Sequence, residues 1–310
     1  MPNRKPRTEN REHKIIFLVG PTAIGKSALA MRLAKKLNAE IISLDSMQIY
    51  KGLNIISSKP DKNMQRQLRH HLLGVISPEK EFDSASYRKL ALGIINEIHK
   101  KGKIPLFVGG SGLYMSVLVD GIFEDVKKDE ALRKKLYAQG KRRGNIYLYN
   151  KLKLADKAAS DKIHPNDLRR IVRALEVYKL TAKPISELWL KRKGLRDKCE
   201  IKIFGLNKDR QELYNDINER VEKMFRSGAV REVKRLLNKK LSRTCQQAIG
   251  IKEIRGYLEG RYDLGYAKEL LKKNTRHYGK RQLTWFRKDR RICWVDASKD
   301  NALKEIMSKL

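Results

Sequence analysis

Cysteine is scarce in this chain. Its 310 residues include 3, at Cys199, Cys245 and Cys293, too far apart for a C-x-x-C pair or a Cys/His cluster. That spacing excludes a zinc finger and fits a reducing compartment. Long apolar runs are also missing, since no stretch approaches the ~20 residues that cross a bilayer. The opening residues, Met1 to His13, are polar and basic and lack the apolar core of a secretory signal; Glu9 and Glu12 speak against organelle targeting. The expectation is a cytoplasmic protein with no membrane contact and a basic, disordered extension over 1–13. Acid is in short supply as well. The 35 Asp+Glu face 70 Lys+Arg, a formal charge of +35, far beyond what solubility needs. Such a charge favours a polyanionic partner, through steering and counterion release. A generally solvated basic surface is the bland alternative. No internal repeat or low-complexity segment is present.

What is present begins at Gly20-Pro21-Thr22-Ala23-Ile24-Gly25-Lys26-Ser27, which fits the phosphate-cradling pattern G-x-x-x-x-G-K-[ST]. Lys14 to Val19 before it is a short apolar, β-branched segment that reads as a buried parallel strand. After it, Leu29, Leu33 and Leu37 recur at helical spacing. Strand, glycine loop and helix N-terminus together bring backbone N–H groups onto one point, a site for a phosphate or diphosphate. Lys26 is expected to reach the terminal phosphate, and the Ser27 hydroxyl to ligate Mg²⁺. The loop does not say which polyphosphate it takes.

Apolar runs at 14–19, 40–44, 71–76, 104–108, 201–206 and 291–296 alternate with amphipathic stretches, among them a crossover helix over 84–101. The alternation predicts an α/β fold with a parallel sheet flanked by helices. From about 121 to 199 no strand pattern is visible, and residues 127–143 hold eight Lys/Arg against two acids. The domain reading is therefore a P-loop α/β core over 14–120 and 200–310, with an all-helical insertion over 121–199. Asp45, at the end of the second strand, lies on the edge where sites of parallel sheets form. It is a candidate proton acceptor, with water-mediated Mg²⁺ binding or helix capping as the alternatives. His70 and His71 have no acid or cysteine at ligand spacing and read as structural.

Further blocks carry a resemblance. Glu40 to Tyr50 contains Asp45-Ser46-Met47-Gln48; then come His70-His71-Leu72-Leu73, Val108 to Tyr114 with Gly109-Gly110-Ser111-Gly112, Ile163 to Tyr178, and Thr275 to Arg287. In this order and spacing the chain resembles the bacterial-type tRNA dimethylallyltransferase (isopentenyl-tRNA transferase) family over roughly residues 14–296. The resemblance implies transfer of a dimethylallyl group from dimethylallyl diphosphate, with Mg²⁺, to the exocyclic amine of the adenine on the 3′ side of the anticodon. The tRNAs concerned read codons beginning with U, and the partner is the anticodon stem-loop. It implies catalytic roles for Asp45, Lys26, Ser27 and Ser111, diphosphate contacts from Gly20 through Ser27 with Lys280 and Arg281, and tRNA contacts from Asp45, Ser46, Met47, Gln48, Ser111, Arg133, Arg169, Arg170, Ile171, Val172 and Arg173. Gln48 is chemically able to pair with an adenine edge through its amide. The adenine has to leave the stacked loop to react.

On the segment opened by Pro165-Asn166-Asp167, with Pro in the first turn, Leu168, Ile171, Leu175 and Tyr178 form the expected buried stripe, and Arg169, Arg170 and Arg173 project away from it. Trp285 and Phe286 are expected in the core. Five positions depart from the family pattern: Ile56 stands where Gly is usual, Ser57 and Ser111 where Thr is usual, Ile251 where Tyr is usual, and Ala182 where Gly is usual. The C-terminal zinc-finger extension of eukaryotic relatives is not expected, and a monomer is. A small-molecule P-loop kinase and a prenyltransferase of free adenine nucleotides remain as alternatives. Against the kinase, the strand at 106–108 ends in Gly109-Gly110 rather than a magnesium-binding acid.

Overall fold

In the computed structural model, which describes residues 13–123, 126, 128–298 and 301–310, six strands form a single all-parallel sheet. The strands are β1 (Lys14–Val19), β2 (Ala39–Leu44), β3 (His70–His71), β4 (Ile104–Gly109), β5 (Glu200–Asn207) and β6 (Ile292–Asp296), in the order β3-β2-β4-β1-β5-β6. The central strand β1 carries Ile15 to Val19 without exposed surface, as expected where helices cover both faces of a parallel sheet. All but His13 of the expected basic extension lies outside the described residues.

The chain divides into two compact units. One comprises Met1–Val119 with Lys198–Leu310, the other Asp120–Asp197. The first holds the sheet; its main core joins Ile16, Leu18, Leu33, Leu106, Phe204 and Ile217. The second has no strand among the described residues and closes its own core around Leu136, Leu148, Leu152, Ile171, Leu175 and Val177.

The scarce acids mark helix starts. Asp61, Asp83, Asp129, Asp156, Asp167, Asp209 and Asp263 each accept a backbone N–H in the first turn of the helix that follows. Each satisfies an orphan donor and complements the helix dipole, which draws acid away from the rest of a basic surface.

Three local expectations need correction. The run 71–76 is not a strand beyond His71: Leu72 and Gly74 both sit at φ 61, a left-handed conformation that breaks the pleat, and Ile76 makes only an isolated bridge to Tyr50. The helix expected to open at Pro165 begins at Leu168, capped by Asp167, so Pro165 precedes the cap. Its stripe is also shifted. Tyr178 is exposed, whereas Val172, Ala174, Glu176 and Val177 are buried with Ile171 and Leu175.

Candidate active site

Parallel registry sets the site's level. Gly109 at the end of β4 pairs with Val19 on one side and Leu44 on the other, and Val19 pairs with Gly205. The carboxyl ends of β1, β2, β4 and β5 therefore finish together, and the loops after them surround one cavity of about 550 Å³. Ligands of open α/β sheets bind at this edge. A Cβ on Gly109 would lie 2.2 Å from the Leu44 carbonyl oxygen, so the close approach of β4 to β2 admits no side chain there.

The glycine loop forms one wall through Thr22 to Ala28. Gly25 turns into the helix Lys26–Leu37 at φ 88, a conformation glycine adopts without strain. The Lys26 amine is folded back into the loop, donating to the Gly20 carbonyl at 3.0 Å and the Pro21 carbonyl at 2.5 Å. Burial lowers its pKa to about 7; the positive charge of Arg220 acts in the same direction, and Asp45 partly offsets both. A cation held this way is poised for an anion that restores its charge. The Ser27 hydroxyl opens the helix beside it on the exposed side. Among the described residues no cluster of three or more His, Cys, Asp or Glu is placed to hold a metal. The donor the loop itself offers a Mg²⁺ ion is the Ser27 hydroxyl, the hard oxygen type such an ion takes beside phosphates and waters.

Asp45 follows β2. Its Oδ1 accepts the N–H groups of Met47 at 2.8 Å and Gln48 at 3.2 Å, a local turn that fixes the carboxylate at the cavity wall. No helix follows Asp45 directly, so the helix-capping alternative is replaced by a turn: one oxygen of the carboxylate is used by that turn, the other is not. Gln48 is committed elsewhere. Its Oε1 accepts from Ser43 at 2.8 Å and its Nε2 donates to the Ser57 and Ser58 carbonyls. Gln48 lines the cavity as well, and pairing with an adenine would have to exchange these bonds. Ser46 and Met47 line the cavity. Ser111 does not; it caps the helix Gly112–Val119, accepting the Tyr114 N–H at 3.4 Å, with its own N–H on the Leu44 carbonyl.

Arg220, Gln282 and Glu232 were missed in the sequence. Arg220 lies on helix Arg210–Arg226 among the buried positions Leu213, Ile217, Val221 and Met224. An arginine in that apolar stripe was the available signal. Its Nε is enclosed with no hydrogen-bond partner, and burial pulls its pKa down, with Asp45 opposing. Lys26, Arg220 and Asp45 thus face one another around the cavity. Gln282 ties two of the loops together. Glu232, itself buried, gathers the backbone N–H groups of Asn54, Ile55 and Ile56 at 2.9 to 3.0 Å, fixing the loop that brings Ile56 to the cavity wall. Beside it Lys59 donates to the Tyr50 carbonyl and Asn54, and burial lowers its pKa to about 8.

From the C-terminal block, Arg281 and Tyr278 reach the cavity, whereas Lys280 is exposed and away from it. Phe286 is fully buried, but Trp285 is 49% exposed, so only one of this pair joins the core. His71 bonds Glu40 at 2.7 Å and His70 the Leu68 carbonyl at 2.9 Å.

The helical unit corrects part of the expected tRNA set. Ile171 and Val172 are buried and unavailable to RNA. Arg133 and Arg173 do not project freely: both converge on Glu176, which has no exposed surface, at 2.9 and 3.0 Å from Arg133 and 2.6 Å from Arg173. Glu176 also accepts the Asp129 N–H, and Arg173 donates to the Val126 carbonyl. Three charge-assisted partners hold that carboxyl below its ordinary range despite burial. Arg169 and Arg170 remain exposed.

Comparison with known proteins decides the family. A sequence profile described as IPP transferase matches residues 48–289. The chain belongs to the IPP transferase family. A family member named tRNA dimethylallyltransferase from Carboxydothermus hydrogenoformans is 46% identical over 299 residues, covering 96% of both chains; another of that name from Acetivibrio thermocellus is 42% identical over the same coverage. Among solved structures, the tRNA isopentenylpyrophosphate transferase of Bacillus halodurans is 37% identical with a TM-score of 0.72, covering 96% of this chain and 95% of that one. A eukaryotic dimethylallyltransferase captured acting on tRNA is 29% identical with a TM-score of 0.78, covering 96% of this chain and 77% of that one. The IPP transferase fold is thus a P-loop-like parallel α/β sheet.

Proposed function

We propose that this transferase moves a dimethylallyl group from dimethylallyl diphosphate to the exocyclic N6 amine of the adenine 3′-adjacent to the anticodon, in tRNAs reading U-initial codons. The observation that carries this reading is the trio of Lys26, Arg220 and Asp45 around one cavity. Two cations suit a departing diphosphate, and the carboxylate suits the proton of an attacking amine. The C–O bond of the allylic diphosphate breaks as the N6–C bond forms. Lys26, Arg220, Arg281 and the free N–H groups of the glycine loop take up the charge of the leaving diphosphate. The free oxygen of Asp45 accepts the amine proton. Ile41, Met47, Ile56 and Leu73 in the wall suit the five-carbon apolar group and keep water from the allylic carbon. Mg²⁺, with Ser27 and the phosphates as ligands, would neutralise charge on the diphosphate.

A small-molecule kinase is disfavoured by Gly109, where the packing of β4 on β2 leaves no room for a magnesium-binding acid. The exposed Arg169 and Arg170, and the basic excess of the whole chain, favour tRNA over a free nucleotide. A monomer in the cytoplasm remains the working expectation. The test is incubation with unmodified tRNA, Mg²⁺ and labelled dimethylallyl diphosphate, followed by nucleoside mass spectrometry. Prenylated adenosine beside the anticodon is the expected product. Label appearing only on free AMP or ATP would move the acceptor to nucleotides, and no transfer to either would remove the reading.

A further inference from the structure

Gln282 lies near the end of helix Leu264–Phe286 and is only 6% exposed. Its Oε1 accepts the N–H of Thr22 at 2.9 Å, and its Nε2 donates to the carbonyl of Gly110 at 3.0 Å. Thr22 belongs to the glycine loop after β1, and Gly110 to the loop after β4. A single amide therefore ties together the loops after two neighbouring strands, β1 and β4, both of which line the cavity. Its orientation is fixed, because a flip would set donor against donor and acceptor against acceptor. Space for it exists because residue 110 has no side chain: a Cβ there would fall 1.9 Å from Nε2. The Thr22 N–H is also withdrawn from the set available to a phosphate. Tyr278, one turn earlier on the same helix, likewise lines the cavity.

We propose that Gln282 is a positioning residue for the transfer, holding the diphosphate cradle in fixed relation to the loop after β4, whose Ser111 N–H bonds the Leu44 carbonyl immediately before Asp45. This rests on the functional reading above. Gln282 does not supply charge to the leaving group or take the proton. It sets where the allylic carbon lies when the amine arrives. In-line transfer needs the reacting atoms about 3 to 3.5 Å apart, and a misplacement of about 1 Å costs roughly 10²-fold in rate. Loss of the tie therefore falls on kcat. Affinity for the donor changes little, because Lys26, Arg220 and Arg281 remain.

The test combines a substitution with a double-mutant cycle. Gln282→Met keeps length and volume and removes both hydrogen bonds. It is expected to lower kcat roughly 10- to 100-fold, with KM for the donor, affinity for Mg-diphosphate and affinity for tRNA within about threefold. Gly110→Ala displaces the amide from the opposite side and should lower kcat similarly. Combined with Gln282→Ala, it should add little, because the group it displaces is gone. If Gln282→Met fails to fold, Gln282→Glu, which sets a carboxylate oxygen against the Gly110 carbonyl, must show the same split between kcat and KM. A kcat within twofold of wild type, a loss of diphosphate affinity equal to the loss of kcat, or strict additivity of the cycle overturns the inference. Wild-type protein that transfers nothing to tRNA in the same series removes the functional reading itself. Wild-type transfer with unimpaired variants removes only the role of Gln282.

Discussion

The two oxygens of the Asp45 carboxylate are not equivalent. Oδ1 holds the turn through the Met47 and Gln48 N–H groups, so Asp45→Asn preserves the turn and removes the base. Transfer is expected to fall by at least ~10²-fold, the usual range for a general base, with tRNA affinity within a few-fold; near-normal turnover would place the base elsewhere. Lys26 gives a pH signature. In the free protein its amine loses its proton near pH 7, while a bound diphosphate favours the charged form. Affinity for Mg-diphosphate is therefore fullest below pH 7 and falls as pH rises through it, by up to roughly tenfold per pH unit. Calorimetry from pH 6 to 9 should show this slope relative to Lys26→Ala, and parallel profiles would refute it. Arg220 has an enclosed, unpartnered Nε. We expect Arg220→Met to raise KM for dimethylallyl diphosphate by roughly 10- to 100-fold, since a charge-assisted hydrogen bond contributes about 1.5 to 3 kcal/mol.

Among the elements, helix Leu168–Thr181 separates its arginines by role. Arg173 joins Arg133 on the buried Glu176, and removing that carboxylate leaves two half-buried guanidinium groups without their counter-charge. Glu176→Ala should therefore destabilise the helical unit by about 3 to 5 kcal/mol, read as a lower melting temperature. Arg169→Ala with Arg170→Ala should leave melting unchanged and reduce the salt slope of tRNA binding by roughly one to two counterions. An unchanged slope would return these side chains to ordinary solvation. The end of the same helix is strained: Ala182 sits at φ 54, where a Cβ costs about 1 to 2 kcal/mol. Ala182→Gly should raise the melting temperature by a few degrees.

For the whole molecule, the formal +35 acts at long range. Binding of tRNA should weaken steeply with salt, on the order of 10³-fold between 50 and 200 mM if about six phosphates are neutralised, while Mg-diphosphate binding in the enclosed cavity changes far less. Filter binding and calorimetry over that range test the contrast. No helix among the described residues is long and apolar enough to cross a membrane, which agrees with the absence of long apolar runs in the sequence.

What the sequence determined by itself follows from short-range rules. The glycine loop, its flanking strand and helix, and Asp45 one βα unit later are legible because strand, turn and helix N-terminus are local in the chain. Buried strands betray themselves by apolar runs, as β1, β2, β4, β5 and β6 do. Tertiary structure alone decided what each polar side chain faces. Arg220 is separated from Lys26 by most of the chain, and the tie of Gln282 to Thr22 spans 260 positions. Gln48 matches an adenine in chemistry, yet it bonds Ser43 and the 57–58 loop; Arg173 looks outward by helical spacing, yet it turns to Glu176. A hydrogen-bonding group takes the partner that folding brings near, and leaving it buried without one costs about 1 to 3 kcal/mol. Such pairings are set by packing around the sheet and within the helical unit, so spacing along the chain carries no record of them.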